Sequence, residues 1–337
     1  MSDHNVKKHD RHRIWKWIGV STTSTVVLVL ALITLWGVVL EPRFLLDVRN
    51  ETAEVKNLPE SWHGETIVLL ADFQVGMWLD NDGMVRKAVR KAIDLDPGAV
   101  LIAGDFIYGT APDRVDRAVE LVRPLADAGV PTFAVLGNHD YSMMKEDSEK
   151  RPHVAADLKA RLVEIGIEVL ENESRPMLPR SGNAPLHVAG VGSEWAGHSN
   201  PLAAISALSP EAPRIVLMHN PVAFRNLPAH SASLALSAHT HGGQLRIPYT
   251  RSQSWVDIAR EREVIADGWG EQGIGENGNR IYVNRGIGFS MIPARFNCRP
   301  ELTVFTLKLA NGRVPGRGPE GDNGDDPGTP DRDESGS

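Results

Sequence analysis

Five times along this chain a short apolar run stops at an acid, an amide or a histidine. Residues 66–71 lead into Asp72-Phe73-Gln74, residues 99–103 into Gly104-Asp105, and residues 132–136 into Gly137-Asn138-His139-Asp140. Residues 214–218 lead into His219-Asn220-Pro221, and residues 233–237 into Ala238 and then His239-Thr240-His241. Apolar runs of this length, bounded by turn residues, predict buried strands. Between the first of them lie two helical patterns, residues 83–95 with Val85, Ala88, Val89, Ala92 and Ile93 on one face, and residues 113–128. Strands alternating with helices predict an α/β sheet with parallel pairing. Residues 186–191, 280–283 and 302–307 read as further strands and 155–165 as a weaker helix. That is too many strands for one small sheet, so the expected fold is a two-sheet β-sandwich flanked by helices. Ligands of open α/β sheets bind beyond the carboxyl ends of strands, where all five polar segments fall.

A second feature bears on where such a fold would sit. Residues 18–40, IGVSTTSTVVLVLALITLWGVVL, carry no charge and reach the ~20 apolar residues that a helix needs to cross a hydrocarbon core. Lys7, Lys8, Arg11, Arg13 and Lys16 precede the run, whereas Arg43 and Arg49 are the only basic residues soon after it. The positive-inside rule then predicts a cytoplasmic basic N-terminus (1–17), one transmembrane helix (18–40), and the body of the chain on the extracytoplasmic side of the cell membrane. A cleaved signal peptide fits less well, because the run is longer than an h-region and Glu41-Pro42-Arg43 follows it in place of a small-residue site. Residues 41–63 read as a connector and 64–311 as one globular domain. Residues 246–279 read as a long polar loop beside the site, and 312–337 as a disordered tail too poor in apolar residues to offset the entropy of ordering. The formal charge of −7 comes with no dense basic stretch beyond residue 16, which argues against a nucleic-acid partner. The lone Cys298 rules out an intrachain disulfide framework and a Cys-rich zinc site. Nothing in the sequence speaks to oligomeric state.

Carboxylate, amide and imidazole donors brought together suit divalent ions, and one carboxylate can bridge two of them. Two ions about 3.5–4 Å apart clamp a phosphoryl group and activate water between them. Each segment alone has a plainer reading. An Asp or Gly-Asp after a strand commonly caps a turn or a helix. His239 and His241 on an extended segment point the same way and share a site, yet a solvated polar loop has the same spacing. Asn138-His139-Asp140 has the composition of a turn. The five together, in order and each at a strand end, favour the metal reading.

These residues resemble the calcineurin-like metallophosphoesterases, whose pattern is D-x-H, G-D, G-N-H-D/E, a lone His and G-H-x-H. The resemblance covers roughly residues 66–309 and is most like the membrane-anchored bacterial branch, given H-T-H-G-G-Q at 239–244 and N-R-G-I-G at 284–288. Pro293-Ala294-Arg295-Phe296 and Arg299-Pro300-Glu301 are similar to that branch too. The resemblance implies a metallophosphoesterase domain over 64–311 holding two divalent ions, Mn, Fe, Zn or Mg. It makes Asp105 the bridging carboxylate, with Asp72 and His241 on one ion and Asn138, His219 and His239 on the other. His139 would stabilise charge on the phosphate or protonate the leaving oxygen, with Asp140 orienting its ring, and water between the ions would attack.

Two positions depart from the pattern. Ala238 replaces the Gly before the first His of the last block, a minor change if its φ is negative. Gln74 stands where the pattern has His, and an amide oxygen is a weaker, neutral donor. It is expected to ligate the first ion and to favour a harder one such as Mn or Mg. The activity implied is hydrolysis of a phosphomonoester or phosphodiester, leaning to diesters, on an envelope or lipid-linked substrate; relatives include hydrolases of UDP-diacylglucosamine. Trp78, Trp255 and Trp269 could face lipid or simply pack in loops and core. The competing reading is a non-catalytic, membrane-anchored metal-binding or interaction module in which Gln74 marks a decayed site.

Overall fold

The apolar N-terminal stretch forms a helix, α1 (Asp3–Thr34), extended by a π-helical turn (Leu35–Leu40) and a short α2 (Glu41–Phe44). The computed structural model describes residues 3–247, 266–271 and 273–310. Residues 19–44 make a helix long and apolar enough to cross a membrane. Val27, Leu28, Leu30 and Leu32 are exposed and find no protein core. A helix satisfies its own backbone hydrogen bonds, so a run of this kind is stable with lipid as its solvent.

Along the rest of the chain the elements are β1 (Asp47–Val55), β2 (Thr66–Leu70), α3 (Asp82–Asp94), β3 (Ala99–Ile102), α4 (Arg114–Asp127), β4 (Thr132–Ala134), α5 (Pro152–Glu164) and β5 (Glu168–Val169). There follow β6 (Glu173–Met177), β7 (Leu186–Gly190), α6 (Pro201–Ser206), β8 (Arg214–Leu217), β9 (Ala235–Ser237), β10 (Gly268–Trp269), β11 (Ile281–Val283) and β12 (Glu301–Leu309). They build two six-stranded sheets, in the orders β1-β12-β2-β3-β4-β5 and β10-β11-β9-β8-β7-β6. The strands that precede the five polar segments pair in parallel, β2 with β3 and β3 with β4 in one sheet, and β8 with β9 in the other.

Side-chain alternation fixes the layers. Along β2, Ile67 and Leu69 join the cluster between the sheets, whereas Val68 and Leu70 join the one beneath α3, α4 and α5. On the far face, Val216, Met218 and Val283 pack with Phe224 and with Ala204 of α6. The result is a sandwich with helices on both outer faces, as the pattern of runs predicts.

Two parts of the chain differ from the expectation. The connector at 41–63 contains β1, which pairs in parallel with β12 over its whole length. Its sequence DVRNETAEV hides this, because an edge strand with one partner tolerates charge. The loop expected at 246–279 contains β10, antiparallel to β11. Trp269 on that strand lies edge-on to Tyr282 (5.3 Å) and Phe305 (5.9 Å) and donates to Glu51 Oε2 (3.0 Å), so it packs in the protein and does not face lipid. Trp255 and the tail at 312–337 lie outside the described residues.

Candidate metal centre

The polar segments after β2, β3, β4, β8 and β9 meet in one cluster. Asp72, Asp105, Asn138, Asp140 and His219 are fully buried, Gln74, His139 and His241 nearly so, and His239 is half-buried. A carbonyl can only accept, so the 2.7 Å contact between His219 Nδ1 and Ala103 O makes Nδ1 the donor, and Nε2 is the nitrogen that offers a lone pair once the ring is neutral. That Nε2 stands 3.2 Å from Asp105 Oδ2, 3.2 Å from Asn138 Oδ1 and 3.2 Å from His239 Nδ1. On the other side, Asp72 Oδ2 is 3.9 Å from His241 Nδ1, and Gln74 Nε2 donates to Asp105 Oδ2 (2.8 Å) while lying 3.3 Å from His241 Nε2.

Two groups of donors result. Asp72, Asp105 and His241 form one, Asp105, His219 and His239 the other, with the donor atoms of each within 4.8 Å of one another. Asp105 belongs to both. Donors ~2.1 Å from one ion lie within roughly 4.2 Å of each other, so small side-chain rotations let each group close on a cation.

A model of the calcineurin-like phosphoesterase family matches residues 65–243, more than half of the chain and all five polar segments. The chain belongs to that family. It is therefore a metal-dependent phosphoesterase, and the non-catalytic reading falls. The phosphoesterase is similar to Phosphodiesterase YaeI of Escherichia coli, 32% identical over 241 residues that cover 72% of this chain and 81% of that protein. Uncharacterized metallophosphoesterase YkuE of Bacillus subtilis is 25% identical over 274 residues, 81% of this chain and 88% of its own. A Danio rerio transmembrane protein with metallophosphoesterase domain is 26% identical over 309 residues, 86% of this chain and 63% of its own.

The donors of the phosphoesterase fit a pair of divalent cations on local grounds. Both carboxylate oxygens of Asp72 and the Nδ1 of His241 are buried without a hydrogen-bond partner. A buried carboxylate left so is unfavourable by several kcal/mol, roughly, and contact with cations removes that penalty. Burial pushes the Asp72 carboxyl up to about 7, with the Asp105 charge adding to it against the pull of His219. Burial also works against the charge on Asp105, yet His219, His139 and His239 hold it well below the usual carboxylate range. For His219, burial opposes protonation, but Asp105 and Asp72 raise it to about 9.

These shifts give metal binding a pH dependence with a definite sign. The ion held by Asp105, His219 and His239 must displace the His219 proton wherever pH is below about 9, and the ion held by Asp72, Asp105 and His241 the Asp72 proton below about 7. The apparent affinity of each site should therefore be flat above its pKa and fall about tenfold per pH unit below it with one proton released, the His219 site from about pH 9 and the Asp72 site from about pH 7. Metal titrations of the full chain across that range check it. An affinity independent of pH would contradict it.

The backbone of the site is bent where an extended course is expected. Asp72, Gln74, Asp105, His239 and His241 all have positive φ, between 51° and 75°. Left-handed backbone costs a non-glycine residue about 1–2 kcal/mol, and five such residues in one cluster mark a site whose side-chain directions the surroundings impose. The residues at 72 and 74, and at 239 and 241, thus converge through turns and not through strand pleating. Ala238 has no positive φ, so its departure from the family's glycine adds no strain. Gly137 is needed for space, since a Cβ there would stand 2.2 Å from Asp105 Oδ1.

Asp140 does not hold the ring of His139, contrary to what the resemblance implies. Its Oδ2 accepts from Asp105 N (3.0 Å) and Gly137 N (2.8 Å), and its Oδ1 from Ile107 N (3.1 Å), which ties the loop after β3 to the loop after β4. The His139 ring instead stacks on Tyr108 at 4.7 Å, with Nε2 3.4 Å from Ser290 Oγ. A cavity of about 390 Å³ opens over Asn138, His139, His239 and His241, walled by Met144, Trp195, Leu245, Met291 and Ile292. Sequence reasoning misses Tyr108, Trp195 and Ser290, which lie in loops without a motif. It also gives Arg295 no role, although its segment stands out. That side chain is fully buried and donates to Gly288 O (2.8 Å), Arg285 O (2.8 Å) and His241 O (3.3 Å), lacing together the loops around the site.

Proposed function

We propose that this phosphoesterase hydrolyses a phosphodiester of an envelope or lipid-linked molecule, at a two-ion centre on the extracytoplasmic side of a membrane. The observation that carries the reading is the sharing of Asp105 by both donor groups. On this reading Asp72, Gln74 and His241 would hold one ion and Asn138, His219 and His239 the other, with Asp105 shared between them. The ions, Mn, Fe, Zn or Mg, supply charge for the phosphate and lower the pKa of the attacking water. The chain's own groups do the rest. Ala103 O fixes the His219 tautomer, and Met143 O takes an N–H of Asn138 (3.2 Å), which aims Oδ1 into the site. Burial lowers the His139 pKa, so its ring enters neutral and donates one N–H to a phosphate or leaving oxygen. Asp140 is a positioning residue that keeps the Asp105 and Gly137 backbones in register.

Chelation of the full chain in detergent should abolish turnover of an aryl phosphodiester, and adding Mn, Zn, Fe or Mg should restore it. Turnover that survives complete metal removal would contradict the reading. The topology rests on the basic residues from Lys7 to Lys16 ahead of the apolar helix. Protease added to intact spheroplasts should digest the domain, and full protection would reverse the sidedness.

Gln74 decides the character of the first ion. Its Nε2 faces Asp105, while Oε1 is buried without a partner. A half-turn of the amide exchanges the two atoms and presents the oxygen to the ion. Gln74→His should stay active and shift preference from Mn or Mg towards Zn or Fe, because imidazole is the softer donor. Gln74→Ala should weaken the ion held by Asp72 and His241 more than the other one. If Gln74→Ala equals the parent in bound metal and turnover, Gln74 is only a polar neighbour.

A further inference from the structure

We infer that the apolar collar around the catalytic mouth is a second membrane-contact surface, so that the site opens against the lipid headgroup layer. The inference rests on the reading of residues 19–44 as a membrane span. That helix does not end in a free linker. Glu41, 1% exposed, accepts from Asn297 N (2.9 Å), Cys298 N (2.5 Å) and Trp36 Nε1 (2.7 Å). Arg295 N donates to Gly37 O (2.8 Å), and Arg43 lies over the Phe289 ring (5.3 Å) while donating to Leu79 O (2.6 Å). A carboxylate buried in this way keeps its partners or costs the fold several kcal/mol, roughly, so the junction is rigid.

The segment that the helix end grips is also a wall of the catalytic cavity. Ser290, Met291 and Ile292 line it, and Phe296 N donates to Gln244 O (2.8 Å), next to the lining residue Leu245. Around this junction the surface is apolar. Phe44, Trp78, Leu79 and Met291 are more than half exposed, at 59, 62, 54 and 68%, with Ile292 at 43% and Leu245 at 38%. Phe44, Trp78 and Leu79 adjoin Arg43 or its partner Leu79 O, while Met291 and Ile292, between Phe289 and Arg295, and Leu245, bridged to Phe296, line the cavity itself. Apolar side chains clustered where a lipid-solvated helix leaves the bilayer gain by entering the interface, and Trp favours that layer. The rigid junction holds the collar there. The substrate class that follows is a phosphate ester whose headgroup stands in the interface and reaches the ions while its chains stay in lipid.

Single cysteines placed in the full chain and labelled with an environment-sensitive fluorophore test this in phosphatidylethanolamine–phosphatidylglycerol vesicles. Cys298 is fully buried, and the unsubstituted chain serves as the labelling blank. Probes at Met291→Cys and Trp78→Cys should lose most of their emission to a nitroxide on the lipid and resist aqueous iodide, as should Val29→Cys within the span. A probe at the exposed Ser181→Cys, near Ser61 and away from the metal centre, should do the reverse. If Val29 is quenched from lipid while both Met291 and Trp78 respond to iodide like Ser181, the collar is not in the membrane. If Val29 also responds only to iodide, the span itself fails and the collar with it.

Discussion

Replacing Asp105 with asparagine should cut kcat/KM of the full-length enzyme by at least ~10³-fold, the upper range for losing one charge-stabilising group. It should also loosen both ions together. Asp105 is the one residue common to the two donor groups, and it further accepts from His139 N (2.8 Å) and Gln74 Nε2 (2.8 Å). Asparagine keeps the size and an acceptor oxygen, so the loops hold their course while the shared charge is lost. Asp72→Asn is the contrasting variant, since Asp72 belongs to one group alone. Bound-metal analysis should find both ions weakened in the first variant and one in the second. Near-normal turnover by Asp105→Asn with both ions still held would refute the assignment.

His139→Ala should lower kcat by about 10²–10³-fold and leave the ion content of the enzyme unchanged, within the usual range for a lost proton-transfer or hydrogen-bonding group. His139 belongs to neither donor group but lines the cavity, with its Nε2 beside Ser290. Its ring is held by stacking on Tyr108 and not by a carboxylate. Loss of an ion from this variant would move His139 from the substrate wall into the ligand set.

The strands that carry the site were legible because burial on both faces leaves near-continuous apolar runs, as in residues 66–70 and 99–102. The same logic hides β1, whose charged side chains sit at a sheet edge, and β5 and β10, which are two residues each and too short for any period to register. The candidate donors were legible as a set that the fold brings together, since carboxylate, amide and imidazole at successive strand ends have few joint explanations. Their backbone was not. Nothing in the residue names Asp72 or His241 announces a left-handed turn, and the room that the Asp72 carboxylate needs comes from distant Gly286, whose Cβ would stand 2.4 Å from Asp72 Oδ2. The role of Asp140 was misread for a related reason. Adjacency to His139 suggests a contact with the ring, but the turn sends its carboxylate towards three backbone N–H groups. Trp195, edge-on to His239 at 4.6 Å, reaches the site through the path of a loop that no local pattern encodes.

Electron paramagnetic resonance of the Mn-loaded full chain reads directly whether two ions share the Asp105 carboxylate. Two Mn ions per chain bridged through Asp105 should give an exchange-coupled signal that Asp105→Asn abolishes. Saturation at one ion per chain, or an isolated-Mn spectrum from the parent at full loading, would contradict it.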